Sequence, residues 1–267
     1  MIKYTIIAVL STTFLTGNAV ADRTILVQST TSTKNSGLYD HILPLVKQDT
    51  GVTVNVVAVG TGAAIKNAMN CDGDVLLVHS RKREDQFVAS GYSKKRYDVM
   101  YNDFIIVGPN DDPAGIAKMN DAVAALKKIA ATKSKFASRG DDSGTHGKER
   151  SLWKSTGVNQ DANSGSWYLE TGSNMGITIN TAVSLNAYTF TDKATWLSFK
   201  NKLDFVIYTD NEDHLINKYN AHIISKNKCS QSKYELAKKV VLWLLSDNAK
   251  KNIINFKRKN QQLFFIK

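Results

Sequence analysis

Five consecutive hydroxyl residues, Ser29 to Thr33, follow a short apolar run and have no carboxylate among them. A second loop, Gly60-Thr61-Gly62, follows the β-branched run VTVNVVAV, and a third, SRGDDSGTH over 138–146, follows KFA. Each leads into a stretch of helical character, which puts it between the C-terminal end of a strand and the N-terminus of a helix. Open α/β sheets bind ligands there, and unpaired backbone N–H groups at such a place favour anions. Glycines let several N–H groups converge on one point. Capping alone accounts for one such loop, because Ser, Thr and Asp are ordinary helix N-caps. Three in one chain, one of them carrying Arg139, point to a shared oxyanion. Arg139 supplies a permanent charge whose fork matches an oxyanion. Asp141 and Asp142 read as helix-starting caps and a brace for Arg139, or as acceptors of a proton from a ligand such as hydrogen phosphate. The first reading is the simpler.

Magnitudes favour binding over catalysis. A hydrogen bond to a charged group is worth about 1.5–3 kcal/mol net, so five or six supply roughly 8–18 kcal/mol before ordering and desolvation costs. Nanomolar retention needs about 12 kcal/mol. The catalytic alternative is an exported hydrolase using Ser143 and His146, close together at the start of a helix. No G-x-S-x-G elbow accompanies them, and i, i+3 spacing does not by itself align a nucleophile with its base. His41, His79, His214 and His222 show no metal-ligand spacing, and GTGAAIKN lacks the Gly-Lys-Ser/Thr of a P-loop. RGD at 139–141 is too short a motif to carry an argument. No cofactor and no free metal cation are expected, and the protein reads as a non-enzyme.

The elements that must position these loops alternate along the chain. Residues 23–28 are a short apolar strand, and Leu38, Ile42, Leu43 and Val46 then share one helical face. Residues 52–60 and 74–79 are strand-like, the latter without polar interruption, as in a parallel strand covered on both faces. This is the beginning of a doubly wound sheet. Residues 96–109 form a long extended run able to leave one lobe and enter another. A helix over 119–132, with Asn120 or Asp121 near its start, is followed by a strand, the Arg139 loop and another helix. Residues 174–186 read as a helix, 203–208 as a strand, and the tail from Tyr234 as a helix with Leu236, Val240, Val241, Leu244 and Leu245 at helical spacing.

Lys3, a short apolar run and Ala19-Val20-Ala21 have the pattern of a secretory leader cleaved after Ala21, which predicts export, most simply to a periplasm. No Cys follows the cleavage point, which argues against a lipid anchor. Cys71 and Cys229 could form one disulfide in an oxidising compartment, but two cysteines fix no geometry. The formal charge is +11, with basic runs at 81–83 and 257–259 and the other lysines spread along the chain. Solvated lysine faces explain this better than nucleic acid, which an exported protein rarely meets. A diffuse positive field still favours approaching anions.

TTSTKNSGL, AVGTGAAIKNA, DVLLVHS, VMYNDFIIVGPNDDPAGI, SRGDDSGTHGKERSLW and WYLETGSNMGITI occur in that order between about residues 24 and 210. Together they closely resemble the tungstate-binding proteins of bacterial ABC importers, the TupA family. The resemblance implies a type II two-lobed periplasmic binding protein of α/β class, each lobe a doubly wound sheet flanked by helices. A two-strand hinge would join residues 22–101 plus 204–267 to residues 102–203. It implies a tungstate site shared by both lobes, delivery to a membrane permease, and a monomer. Carried over position by position, Thr30, Thr31 and Ser32 fall on the first oxyanion loop, and Gly60, Thr61 and Gly62 on the second. Ser80 falls on a loop facing the cleft. Arg139, Ser143, Gly144 and Thr145 fall on the second-lobe motif, with Arg139 as the charged ligand. Glu170 and Met175 lie in a motif read as structural. Ser29 and the tail NFKRKNQQLFFIK depart from the family pattern. Tungstate is fully deprotonated at neutral pH and only accepts hydrogen bonds, so a donor-only site suits it. Molybdate is nearly isosteric, and sulfate and phosphate are the further alternatives.

Overall fold

The computed structural model describes residues 23–210, 212–258 and 260–266, so the predicted leader over 1–21 lies outside the described residues. The chain runs β1 (Thr24–Thr30), α1 (Thr31–Asn35), α2 (Leu38–Thr50), β2 (Thr53–Val59), α3 (Thr61–Met69), β3 (Val75–Val78) and α4 (Arg81–Ala89). The long β4 (Tyr97–Gly108) leads to α5 (Ala122–Thr132), β5 (Phe136–Ser138), α6 (Gly144–Thr156), β6 (Tyr168–Glu170), α7 (Met175–Leu185), β7 (Tyr188–Asp192), α8 (Lys193–Ser198) and β8 (Val206–Thr209). It returns along β9 (Ile216–Ile223) to α9 (Tyr234–Leu244), α10 (Asp247–Asn255) and the small pair β10 (Lys257–Arg258) and β11 (Gln261–Gln262).

The strand order is β2-β1-β3-β9-β4-β7-β5-β6, with β8 on β4. Strands β1, β2 and β3 are parallel, as are β5, β6 and β7. Between these groups β4 and β9 run antiparallel, pairing Tyr97–Asp103 with Ile216–Ala221. Beyond Asp103 the same strand β4 turns to β7 and β8 in the second sheet. The architecture is that of a two-lobed α/β protein whose sheets are joined by two crossing strands.

Alternating side chains place the central strands between two layers. Val75 and Leu77 of β3 pack with Ile42, Val46, Val240 and Leu244, while Leu76 and Val78 face Ala64, Ile65 and Phe87 on the other side. A strand covered on both faces needs no polar position, which is why β3 reads as an unbroken apolar run. Along β4, Ile105 and Val107 join the first core, and Phe104 and Ile106 join a second core with Phe136, Trp153, Tyr168 and Phe190. Each large side chain so buried contributes roughly 1.5–3 kcal/mol. Met175 is among them, consistent with the structural role read for it.

Cys71 and Cys229 are joined, with their Cα atoms 5.3 Å apart. The bridge ties the end of α3 to the segment after β9, 158 residues away in sequence. In the chain-entropy view, closing so long a loop in the unfolded chain is worth about 5 kcal/mol. Helix α5 begins later than its periodicity predicts. Asp121 caps it, its Oδ1 accepting from the N–H groups of Val123 and Ala124 at 2.8 and 2.9 Å.

Candidate functional site

The loops after β1, β2 and β5 converge on one small cavity with an empty volume of about 150 Å³. Thr30, Thr31, Ser32, Gly60, Thr61, Arg139, Ser143 and Gly144 line it, with Val59 and His79. Eight of the eleven predicted site residues are thus brought together. Gly62, Ser80 and Thr145 do not line it. Gly62 lies one step farther along α3, where a Cβ would meet Arg83 at 2.8 Å. Ser80 caps α4 and faces a wider outer cleft. Thr145 is buried in the first turn of α6, with its Oγ1 unpartnered among the described residues.

Local geometry explains which donors remain for a ligand. Thr30 is spent on capping: its Oγ1 accepts from the Thr33 N–H and contacts the Ser32 and Thr33 hydroxyls at 3.1 and 2.9 Å. Ser29, the position that departs from the family pattern, donates to the Leu77 carbonyl at 2.9 Å behind the loop. The first N–H groups of α1, α3 and α6 have no acceptor within their own helices. Of these, the Gly144 N–H crosses between lobes to the Thr61 Oγ1 at 3.1 Å.

Arg139 is 3% exposed. Its Nη2 donates to the Asp141 carboxylate and its Nε to the Ser173 carbonyl at 3.4 Å. The other Asp141 oxygen accepts from the Ser143 N–H at 3.2 Å. Asp141 therefore braces Arg139 and the loop, as the simpler reading had it, and does not line the cavity. Gly140 has φ +59°, and a Cβ on it would stand 2.9 Å from Glu170 Cβ, so only glycine suits this turn. Asp142 pairs with Arg83 of α4 across the lobe boundary, and Arg83 Nη1 donates to the Asp142 carbonyl at 2.8 Å.

His79 has no counterpart in the predicted set. It ends the apolar β3 run and stands in the cavity wall, its Nε2 3.1 Å from Ser32 Oγ and its Nδ1 2.9 Å from Asn217 Oδ1. Asn217 donates through Nδ2 to Asn102 Oδ1 at 2.8 Å, which leaves its Oδ1 to accept from His79 Nδ1. Nε2 is then the acceptor for the Ser32 hydroxyl. Asn102 continues the chain to Asp192 at 3.3 Å, and Asp192 caps α8 through the Thr195 N–H at 2.8 Å. A buried polar path thus runs from the Ser29–Thr33 loop through both crossing strands into the second lobe. The sequence signal was present: one imidazole closing an otherwise apolar strand, at the same strand ends as the other loops.

Behind Arg139, buried Glu149 accepts from Ser138 at 2.9 Å, Tyr168 at 2.8 Å and Trp153 at 3.2 Å. Burial pushes its carboxyl up to about 7, whereas burial lowers His79 to about 4. For Glu149 the folded state holds a proton that the unfolded chain releases above about pH 4.5. Its contribution is therefore full below that pH and is lost as pH rises through 7. For His79 the contribution is full above about pH 6.5 and is lost as pH falls toward 4. Each amounts to about 3 kcal/mol, and the slopes oppose one another between pH 4.5 and 6.5. Relative to wild type, Glu149→Gln should gain stability as pH rises from 4.5 to 7. His79→Gln should lose stability with rising pH from 4 to 6.5. Urea midpoints across pH check this, and unchanged slopes in both variants would contradict it.

The Ser143–His146 pair is no nucleophile and base. Ser143 Oγ accepts from the His146 backbone N–H at 3.1 Å as an N-cap, and the His146 ring accepts from the Asp142 N–H at 3.1 Å.

Residues 17–248 match the PBP superfamily domain, which places this two-lobed fold, with its cavity at the meeting of the strand ends, among the non-catalytic solute-binding proteins. The chain is 44% identical over 231 residues to the tungstate-binding protein TupA of Peptoclostridium acidaminophilum, covering 86% of this chain and 80% of that one. Among solved structures it resembles the tungstate-binding protein TupA of Desulfovibrio alaskensis G20 at 40% identity, with a TM-score of 0.79 over 91% of this chain and 98% of that one. It also resembles the tungstate ABC transporter structure from Geobacter sulfurreducens at 45% identity, with a TM-score of 0.81 over 88% of this chain and the whole of that one. The chain belongs to the TupA family of tungstate-binding proteins.

Proposed function

We propose that this protein captures tungstate as the bare dianion between its lobes and delivers it to the membrane permease of an ABC importer. The observation that carries this reading is the small cavity where helix N-termini, hydroxyls and the buried Arg139 meet while the nearby carboxylate is already engaged. An anion without a proton needs only donors, and a carboxylate turned into the cavity would repel it. The names of the relatives point to the same ligand. The hydroxyls of Thr31, Thr61 and Ser143, the backbone N–H of Ser32 and the Arg139 guanidinium serve as the nearest ligands, with Thr30, Gly60 and Gly144 holding the loops. His79 orients Ser32 from behind. The hinge is the β4–β9 crossing, between a first lobe of residues 22–101 plus 204–267 and a second of residues 102–203. The protein works as a monomer in the periplasm after removal of its leader.

Calorimetry on dialysed protein with tungstate, molybdate, sulfate and phosphate in turn tests the reading. One tight tungstate site per chain is expected, with molybdate the nearest competitor. Tight phosphate binding with none of tungstate would overturn it.

A further inference from the structure

Beside the oxyanion cavity lies a much wider cleft, with an empty volume of about 1660 Å³. His79 and Gly144 line both spaces, so the cleft adjoins the inner cavity at the seam between the lobes. Its cationic lining is Arg81, Lys82 and Arg83 from α4, Lys148 and Arg150 from α6, and Lys218 from β9, and no carboxylate among the described residues lines it. The arginines have partners: Arg81 with Asp85 at 3.3 Å, Arg83 with Asp142, and Arg150 with Asp161 at 2.7 Å. The lysines differ. The side-chain amines of Lys82, Lys148 and Lys218 take no hydrogen bond or ion pair among the described residues.

We propose that this cleft is a second anion site, an antechamber in which a small inorganic dianion rests loosely before entering the inner cavity. Solvated lysines would be unremarkable if scattered, but these three come from elements of both lobes and face one space. Lys148 is half-buried, and burial lowers the pKa of its amine, a cost that an anion beside it would relieve. The helices α4 and α6 also open onto the cleft at their N-termini, through Ser80, Arg81 and Gly144, adding partial positive charge. Ammonium groups are point charges without the fixed fork of a guanidinium. They concentrate an anion without gripping it in one geometry, which suits a site of passage. The seam between the two spaces is held by the Gly144–Thr61 hydrogen bond and the Arg83–Asp142 pair. Parting the lobes would open the way inward.

The inference rests on the tungstate reading, and its test separates the two. The variant Lys82→Gln/Lys148→Gln/Lys218→Gln spares every residue lining the inner cavity. Stopped-flow association with tungstate at about 20 mM ionic strength should slow about tenfold in this variant, with the dissociation rate unchanged. The difference should vanish at about 500 mM, where exposed charges are screened. In tungstate-loaded protein, sulfate titration should shift the amide resonances of Lys82, Lys148 and Lys218 in the wild type and leave those positions unmoved in the variant. An unchanged association rate overturns the antechamber. Slower association without sulfate shifts in the loaded wild type leaves only long-range steering and overturns the site. A wild type that binds no tungstate refutes the functional reading instead, and sulfate titration of the unloaded protein then decides the antechamber by the same resonances.

Discussion

Replacing Arg139 with alanine should weaken tungstate binding by about 10²–10⁴-fold. Two charge-assisted bonds from a buried fork are worth about 3–6 kcal/mol, and each 1.4 kcal/mol is a factor of ten. The loss has a second source, because the substitution frees Asp141. Its carboxylate now accepts from Arg139 and from the Ser143 N–H. Without the guanidinium it would stand as a negative charge close to the anion. Breaking a buried pair on one side also destabilises the fold, by about 3–5 kcal/mol. The variant Arg139→Ala/Asp141→Asn separates these effects: it should melt close to the wild type and regain only part of the affinity. Arg139→Lys keeps the charge but not the fork, and should fall between wild type and alanine. Calorimetry against tungstate, with a thermal melt of each variant, checks the series. Wild-type affinity in Arg139→Ala would mean that another group carries the charge recognition.

Much of the cavity was legible because its chemistry is local. A strand end, a run of hydroxyls or glycines and a helix start are neighbours in sequence, and the three loops that share this composition do meet. The finer placement is also local. One residue of register separates His79 in the cavity wall from Ser80, which lines the outer cleft as the resemblance implied. The long run that became β4 was visible, but its partner β9, INKYNAHI, was not. Its asparagines and lysine weaken any strand signal. Asn217 is buried there because it lies opposite Asn102 and beside His79, contacts that join positions more than a hundred residues apart. The disulfide was likewise hidden, since only the fold brings Cys71 to Cys229.

The hidden parts share a function in the architecture. Loops built from local sequence line the cavity, whereas nonlocal contacts decide how the loops of the two lobes meet. Ser32 reaches α8 through His79, Asn217, Asn102 and Asp192, so the Ser29–Thr33 loop is tied to the second lobe through both crossing strands. Burial raises the pKa of Asp192 at the far end of that path. Helix α6 meets this same path at a glycine, Gly144, beside Thr61 and His79.

Gly144→Ala should therefore cost about 10–100-fold in tungstate affinity without unfolding the protein. A Cβ on Gly144 would stand 2.9 Å from Thr61 Oγ1 and 3.1 Å from the nearest His79 ring atom. Thr61 is also the acceptor of the Gly144 N–H, so retreat of its hydroxyl would break the bond that joins the lobes. The backbone offers no objection, because Gly144 opens α6 without a positive φ. Alanine there favours the helix by about 0.5–1 kcal/mol, and stability should hold or rise slightly. A loss of affinity with retained stability is the mark of a blocked closure, since a damaged lobe would lose both. Gly147, three residues on, is the control. Nothing lies within 4 Å of a Cβ built there, so Gly147→Ala should bind like the wild type. Calorimetry gives the affinities, and small-angle scattering with and without tungstate reads compaction. Equal affinity in Gly144→Ala and wild type would show that ligand capture does not need the lobes to meet this closely.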